Sequence, residues 1–247
     1  MKNKISSQLQ LVIIAFLIFT FSGCAMKTNQ ASFMVHDPPA VLKCGNALDD
    51  SLALIPLIDR RPAEEIKGKK PKGVFLLVWN QRIGDYVTSN KSFLEPHQEG
   101  MADRLAAAIS RTNCFYEVKT VNAKLPNQPT PDDFLPVLAE EKVRYVLVGE
   151  IQHFYGKQHQ KAYYLLIPAL WVNLFFGNNR VDTAVGKTEI LFTLYDAKTG
   201  SEVWRSNIQS EKSSAMAGSY PQMAMQSFAE VSEKLANQLY DVAQSRQ

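Results

Sequence analysis

The chain has 247 residues, 46% apolar and 21% charged, with 12 Gly and 12 Pro. This ordinary globular composition excludes wholesale disorder, a collagen-like repeat and an extended coiled coil. The 27 basic residues barely outnumber the 24 acidic ones. Lys2 and Lys4 fall in a segment read below as removed, so the remainder is close to neutral and has no electrostatic footprint for nucleic acid.

Lys2 and Lys4 form a short positive start, and residues 11–21 are apolar (Leu-Val-Ile-Ile-Ala-Phe-Leu-Ile-Phe-Thr-Phe). That run is about half of the ~20 residues a membrane span requires. A positive start, a short apolar core and small residues before a cut define a secretory signal. The segment ends in Phe21-Ser22-Gly23-Cys24, which resembles the lipobox of bacterial lipoproteins. The resemblance implies a diacylglyceryl group on the Cys24 thiol, removal of residues 1–23 and acylation of the new amino terminus. Several acyl chains, at about 0.8 kcal/mol per buried methylene, make such attachment effectively permanent. Ala25 stands where an Asp resembles an inner-membrane retention signal in enteric bacteria. The expected address is therefore the periplasmic face of the outer membrane. No cofactor is expected beyond these covalent chains.

Two further cysteines remain, Cys44 and Cys114. In an oxidising compartment a disulfide between them and a pair of buried thiols both fit. Residues 24–50 show no sustained period and read as the lipidated Cys and its tether, with one domain over 51–247. Residues 52–58 form a short apolar run, read as an edge strand because Pro56 cannot donate to a ladder. The charged stretch 63–72 reads as a loop, and Val74 to Trp79 as one buried strand.

Glu95-Pro96 opens a helix whose Met101, Leu105, Ala108 and Ile109 share a face, and Thr112-Asn113 closes it. Residues 115–121 form a strand. Thr130-Pro131-Asp132-Asp133 reads as a helix start, with Thr130 as cap and the acids in the first turn, continuing to about Lys142. Residues 143–151 are a strand. Residues 187–195 alternate, and Asp196-Ala197-Lys198-Thr199-Gly200 joins them to 202–208 as a hairpin. Phe228, Val231, Leu235, Leu239 and Val242 step by three or four along a last helix. The expected fold is α+β or α/β, a two-layer sandwich of a mixed sheet with about three helices.

Residues 162–177 contain one strongly polar side chain, Asn173. They belong to an expected insertion at about 153–185. As a helix they would measure about 24 Å, short of a ~30 Å hydrocarbon core. A buried core element is one reading. The other is a surface in which Tyr163, Leu166, Leu170, Trp171, Leu174 and Phe175 touch membrane, a partner or another copy of the chain.

Motifs for chemistry are missing: there is no Gly-x-Ser-x-Gly elbow, Walker loop, His-Glu-x-x-His or Cys-x-x-Cys. The basic stretch 67–73 lacks the context of a phosphate cradle and reads as a solvated loop, with lipid headgroups as the alternative contact. His153 and His159 are too few for zinc, which needs three or four ligands, and no metal site is expected. The pairs Asp49-Asp50 and Asp132-Asp133 are sequence neighbours, which do not face one substrate bond. Asp59-Arg60-Arg61 reads as surface, with an anion site as the alternative.

The strand Tyr145-Val146-Leu147-Val148-Gly149-Glu150-Ile151 and the turn Tyr195-Asp196-Ala197-Lys198-Thr199-Gly200-Ser201-Glu202-Val203-Trp204 stand out within this element order. Together with the lipobox, they resemble periplasmic lipoproteins built on the fold of the TolB amino-terminal domain and of the curli secretion lipoprotein. The resemblance implies binding and assembly rather than a reaction. The expected role is a non-enzymatic adaptor or assembly factor of an envelope complex, with the bilayer and an envelope protein or a second copy as partners. A self-assembling secretion channel built from the apolar insertion is the alternative, and an envelope hydrolase a more remote one.

Overall fold

The computed structural model describes residues 30–33, 41–45, 48–70, 72–76, 79–121, 130, 133, 143–160, 183–214 and 220–245. Its elements run β1 (Leu48–Leu54), β2 (Ile58–Asp59), α1 (Ala63–Lys67), β3 (Lys72–Leu76), β4 (Trp79–Val87), a single 3-10 turn (Asn90–Ser92), α2 (His97–Ser110), β5 (Phe115–Thr120), β6 (Tyr145–Gln160), β7 (Ala184–Asp196), β8 (Glu202–Ser214) and α3 (Tyr220–Gln244). The expected α+β class is borne out.

The sheet is organised around β6. One edge of β6 takes three partners in succession: β1 in parallel at Tyr145–Leu147, β2 in parallel at Glu150 and Ile151, and β4 antiparallel from Lys157 to Gln160. The other edge pairs antiparallel with β7 along nearly its whole length, and β7 pairs with β8. On the far side of β1 lies parallel β5, and β3 pairs antiparallel with β4.

Alternation along the strands sends residues to two faces. Leu52, Leu54, Tyr145, Leu147, Ile151 and Phe154 join Ile190, Phe192 and Leu194 in the main core, under α2 and α3. The intervening Ala53, Ile55, Val146 and Val148 form a second, smaller cluster. From α2, the core receives Met101, Leu105 and Ile109, and from α3 it receives Met225, Phe228, Val231, Leu235 and Leu239. These are the helical stripes expected from spacing. The β7–β8 turn closes with Gly200 at φ 69°, while Asp196 accepts from Lys198 N and Thr199 N.

The start of α3 is seated by two glycines. Gly156 and Gly186 face each other across the β6–β7 ladder. A Cβ on Gly156 would come within 1.7 Å of Tyr220 O, and one on Gly186 within 2.0 Å of Met223 O. Helix backbone therefore rests directly on strand backbone. Lower down, the fully buried Thr188 and Ser227 satisfy each other: their hydroxyls are 2.6 Å apart, and Ser227 donates onward to Ala224 O.

Several expectations are corrected. β1 is interior rather than an edge strand, because it starts at Leu48 and ends before Pro56, leaving both edges free to pair. Residues 63–67 are helical, with Pro62 as N-cap and Glu64 and Glu65 in the first turn. The single strand expected over Val74–Trp79 is the two arms of a hairpin, with Leu76 paired to Trp79. β6 continues nine residues past Ile151 and β7 begins at Ala184, so only residues 161–183 remain of the expected 153–185 insertion. Its polar side chains hid the continuation of β6, which is carried by ladders on both edges. Residues 24–50 are not all tether: Phe33 is fully buried, and Cys44 is buried against Thr112. Of the helix expected from Thr130 to about Lys142, only Thr130 and Asp133 lie within the described residues, and Thr130 N and Oγ1 donate to the Asp133 carboxylate.

Gly186→Ala should cost about 3 kcal/mol or more, because the helix backbone must lift off the sheet. Gly45→Ala, which meets nothing within 4 Å, should stay within about 0.5 kcal/mol of the parent. Urea unfolding midpoints of the two variants check this.

Candidate functional site

β2 ends at Asp59 and is followed by two consecutive arginines that turn opposite ways. Arg60 donates its backbone N–H to Ile151 O and points out to Glu150, 3.7 Å away. Arg61 points in, and its side chain is 1% exposed. Its Nε and Nη2 donate to the two Asp59 oxygens at 2.9 and 2.6 Å, Nη2 also reaches Asn90 Oδ1, and Nη1 reaches Phe154 O. The guanidinium thus ties β2, the 3-10 turn and β6 together. Burial pushes the Asp59 carboxyl up, but the hydrogen bonds and charge of Arg61 outweigh it and hold it below the usual range.

Neighbouring groups grip the same stretch of β6. Glu65 of α1 accepts from Phe154 N and lies 2.6 Å from His153 Nδ1. Thr88 donates its N–H to Gly156 O and accepts from Gly156 N at its hydroxyl.

Onto this clamp the amino-terminal segment is sewn. Gln30 Nε2 donates to Lys91 O, Ala31 N to Ser92 O, and Leu94 N to Ala31 O. Ser32 Oγ and Phe33 N both donate to the Glu95 carboxylate. The Phe33 ring then packs among Phe93, Phe154 and Phe228, within 5.6–5.8 Å of each ring centre.

His97, the first residue of α2, completes the cluster. It is 4% exposed, lies edge-on to Phe93 and Phe154, and its Nε2 has no hydrogen-bond partner. Burial, reinforced by the Arg61 charge and opposed by Asp59, lowers its pKa to about 4. It is neutral near pH 7 and shielded from solvent. Within the cluster Arg61 is paired with Asp59 and His153 with Glu65, while His97 is held neutral among the rings.

The anion site considered at Asp59-Arg60-Arg61 is overturned, because Arg61 spends its donors on Asp59, Asn90 and Phe154. His153 and His159 lie on β6 rather than beyond it, and each contacts a separate carboxylate, Glu65 and Asp85. Among the described residues no group of three or more His, Cys, Asp or Glu is placed to hold a metal. Asp50 lies on β1. The basic stretch is split, with Lys67 ending α1, Lys69 bridged to Val87 and Lys72 opening β3.

Cys44 and Cys114 are joined by a disulfide, with Cα atoms 5.0 Å apart and 70 residues of separation. Cys24, Tyr163, Leu166, Leu170, Trp171, Leu174 and Phe175 lie outside the described residues. A shallow groove of about 590 Å3 between β8 and α3 is lined by Lys212, Glu230, Glu233 and Lys234 among others. There Glu230 takes hydrogen bonds from Lys212 and Lys234, which hold its pKa down to about 2.

Sequence reasoning missed the inward turn of Arg61, the burial of Phe33 and the glycine seat. Glycine inside a strand is the one signal that pointed to close backbone approach. For Arg61 no local signal exists, and for Phe33 the signal is no more than the short apolar triplet Phe33-Met34-Val35.

No family model and no curated protein matches the chain. Among solved structures, it is similar to protein XCC0632 from Xanthomonas campestris, with 10% identity, a TM-score of 0.48, and coverage of 85% of this chain and 95% of that one. It is also similar to the PelC dodecamer from Paraburkholderia phytofirmans, with 16% identity, a TM-score of 0.37, and coverage of 80% and 94%. The lipoprotein GNA1162 from Neisseria meningitidis shows 12% identity, a TM-score of 0.38, and coverage of 78% and 99%. These are similarities of outline, and the roles of residues in this chain rest on its own geometry.

Removing Arg61 leaves the half-buried Asp59 carboxylate without its partner, so Arg61→Ala should cost about 2–4 kcal/mol. Arg60→Ala, at a solvent-exposed pair, should cost less than about 1 kcal/mol. Denaturant melts of the two adjacent variants provide the contrast. The depressed pKa of His97 sets a pH dependence. Between pH 6.5 and about 4 the unfolded chain binds a proton at His97 that the folded chain refuses, so this contribution to stability is lost as pH falls. It amounts to roughly 3 kcal/mol. Melts from pH 7 to pH 4 should show this slope in the parent and a flatter one in His97→Phe.

Proposed function

We propose that this chain is a lipoprotein held by acylated Cys24 at the periplasmic face of the outer membrane. Its α+β domain is a non-enzymatic adaptor or assembly factor of a cell-envelope complex. One observation carries the reading: Phe21-Ser22-Gly23-Cys24 closes a short apolar run behind Lys2 and Lys4.

Two features of the domain support it. The chain leaving Cys24 is bonded into the fold from Gln30 and Ala31 onward, so a lipid on Cys24 would hold the domain close to the bilayer. Among the described residues, no helix is long and apolar enough to cross a membrane. The adaptor role is supported by β8, which among the described residues pairs along one edge only, with β7. An edge strand of 13 residues is a template for strand addition by a partner.

Intact-mass and peptide analysis of the mature protein should find Cys24 as the first residue, carrying a diacylglyceryl thioether and an acylated amine. Cys24→Ser should leave the chain unlipidated and shift it out of the outer-membrane fraction. A mature amino terminus without lipid on Cys24 would remove the reading. Crosslinking in cells through photoreactive residues on β8 should then capture an envelope protein.

A further inference from the structure

We propose that β8 pairs with β8 of a second copy of this chain, antiparallel and about a two-fold axis at Ile208. This rests on the reading of β8 as a template for strand addition and names the strand that it takes.

The edge of β8 turned away from β7 offers a fixed set of groups. Alternate residues of a strand aim both backbone N–H and C=O at the same edge. Leu147 O accepts from Ile55 N, and Ile151 O from Arg60 N, so these odd-numbered residues of β6 bond on the β1 and β2 side and the even ones on the β7 side. By the pairing of β6 with β7 and of β7 with β8, the even residues of β8 bond to β7 and the odd ones aim away from it. Lys234 agrees with this: from α3 its Nζ reaches round to Gln209 O, 3.0 Å away. Arg205, Asn207, Gln209 and Glu211 are therefore the residues presented along that edge. Their side chains are exposed, while the alternate Ile208 and Ser210 are buried.

A strand that pairs with its own copy about a two-fold axis must match its own sequence read backwards. About Ile208, β8 does so. Arg205 stands opposite Glu211 of the second copy and Asn207 opposite Gln209, and the axis repeats both matches. These are hydrogen-bonded pairs, worth about eight backbone hydrogen bonds in all. Opposite charges facing each other across an antiparallel pair stabilise it, and like charges do the reverse. Shifting the axis by one residue loses the match: about Asn207, Arg205 faces Gln209, and about Gln209 it faces Ser213. On the α3 face, Trp204 stands opposite Lys212, which lines the groove between β8 and α3. Trp204 is half-buried against its own core, and the rest of its ring is free to cover that ammonium group. The β7–β8 register is regular from Trp204 to Ser214, past the bulge beside Tyr195, so the matched stretch 204–212 is unbroken. Lys234 can keep its bond from the α3 side, because a carbonyl oxygen accepts twice.

The test uses the mature protein in detergent, with sedimentation reading its mass. The parent should be a dimer. Arg205→Glu and Glu211→Arg each set like charges opposite one another twice, and each should weaken dimerisation at least about tenfold. Mixing the two single variants puts opposite charges back at both places, as does combining them in one chain, and either should recover the dimer. Circular dichroism checks that each variant is folded. Independently of these variants, a photoreactive residue in place of Gln209 should crosslink to the Asn207 peptide of a second copy and give a species of twice the mass. A monomeric parent, single variants that dimerise like the parent, a mixture that stays monomeric, or no such crosslink overturns the proposal. The same probe used in cells separates the two claims. Capture of a different envelope protein and no second copy refutes self-pairing alone. Capture of nothing refutes strand addition at β8 and self-pairing with it.

Discussion

The Asp59–Arg61 pair sits where the chain would otherwise come apart. A guanidinium that is 1% exposed is tolerable only because a carboxylate neutralises it and oxygens from Asn90 and Phe154 take its remaining directions. In meeting that demand it joins a two-residue strand, a loop turn and the central strand. The loop between β4 and α2 is held by this contact and by Thr88, and the amino-terminal segment is bonded to that loop. The bonds of Gln30, Ala31, Ser32 and Phe33 thus reach the clamp through that loop, while the Phe33 ring also packs on the core directly.

β6 supplies the other half of the mechanics. Its 16 residues pair with four different strands, so it works as the spine of the sheet. Gly156, gripped by Thr88 on its backbone, also lets α3 settle onto the sheet. Amino-terminal attachment, the loop and the last helix thus meet within three residues of β6, from Phe154 to Gly156. A load applied at the amino terminus would be delivered to the best-connected part of the domain, which suits a protein whose proposed work is to be held at a membrane while gripping something else.

The polar chemistry of the interior has the same character. Asp59, Glu65, Arg61 and His153 form pairs, and His97 is kept neutral by burial among rings. The charged groups of this cluster are therefore turned inward to partners of the fold, while the 13-residue β8 pairs along one edge only among the described residues.

Much was legible in the sequence where the cause is local. The stripes Met101, Leu105, Ala108, Ile109 and Phe228, Val231, Leu235, Leu239 mark α2 and α3 because helical period is a property of neighbours. Gly200 and Asp196 mark the β7–β8 turn because turn geometry is set within five residues. The proposed address rests on residues 1–24 alone, since a signal acts as a linear segment. Tertiary structure decided what depends on residues far apart. Whether Arg60 or Arg61 turns inward follows from the pairing of β2 with β6. Whether His153 and His159 lie on a strand follows from β4 and β7 flanking them. Phe33, in a segment with no sustained period, is core because Phe93, Phe154 and Phe228 converge on it. Gly156 and Gly186 need to be glycine because α3 crosses them, and Cys44 meets Cys114 because β1 and β5 run side by side. A linear pattern records which face a residue prefers, and the partner that occupies that face is chosen only when the chain closes on itself.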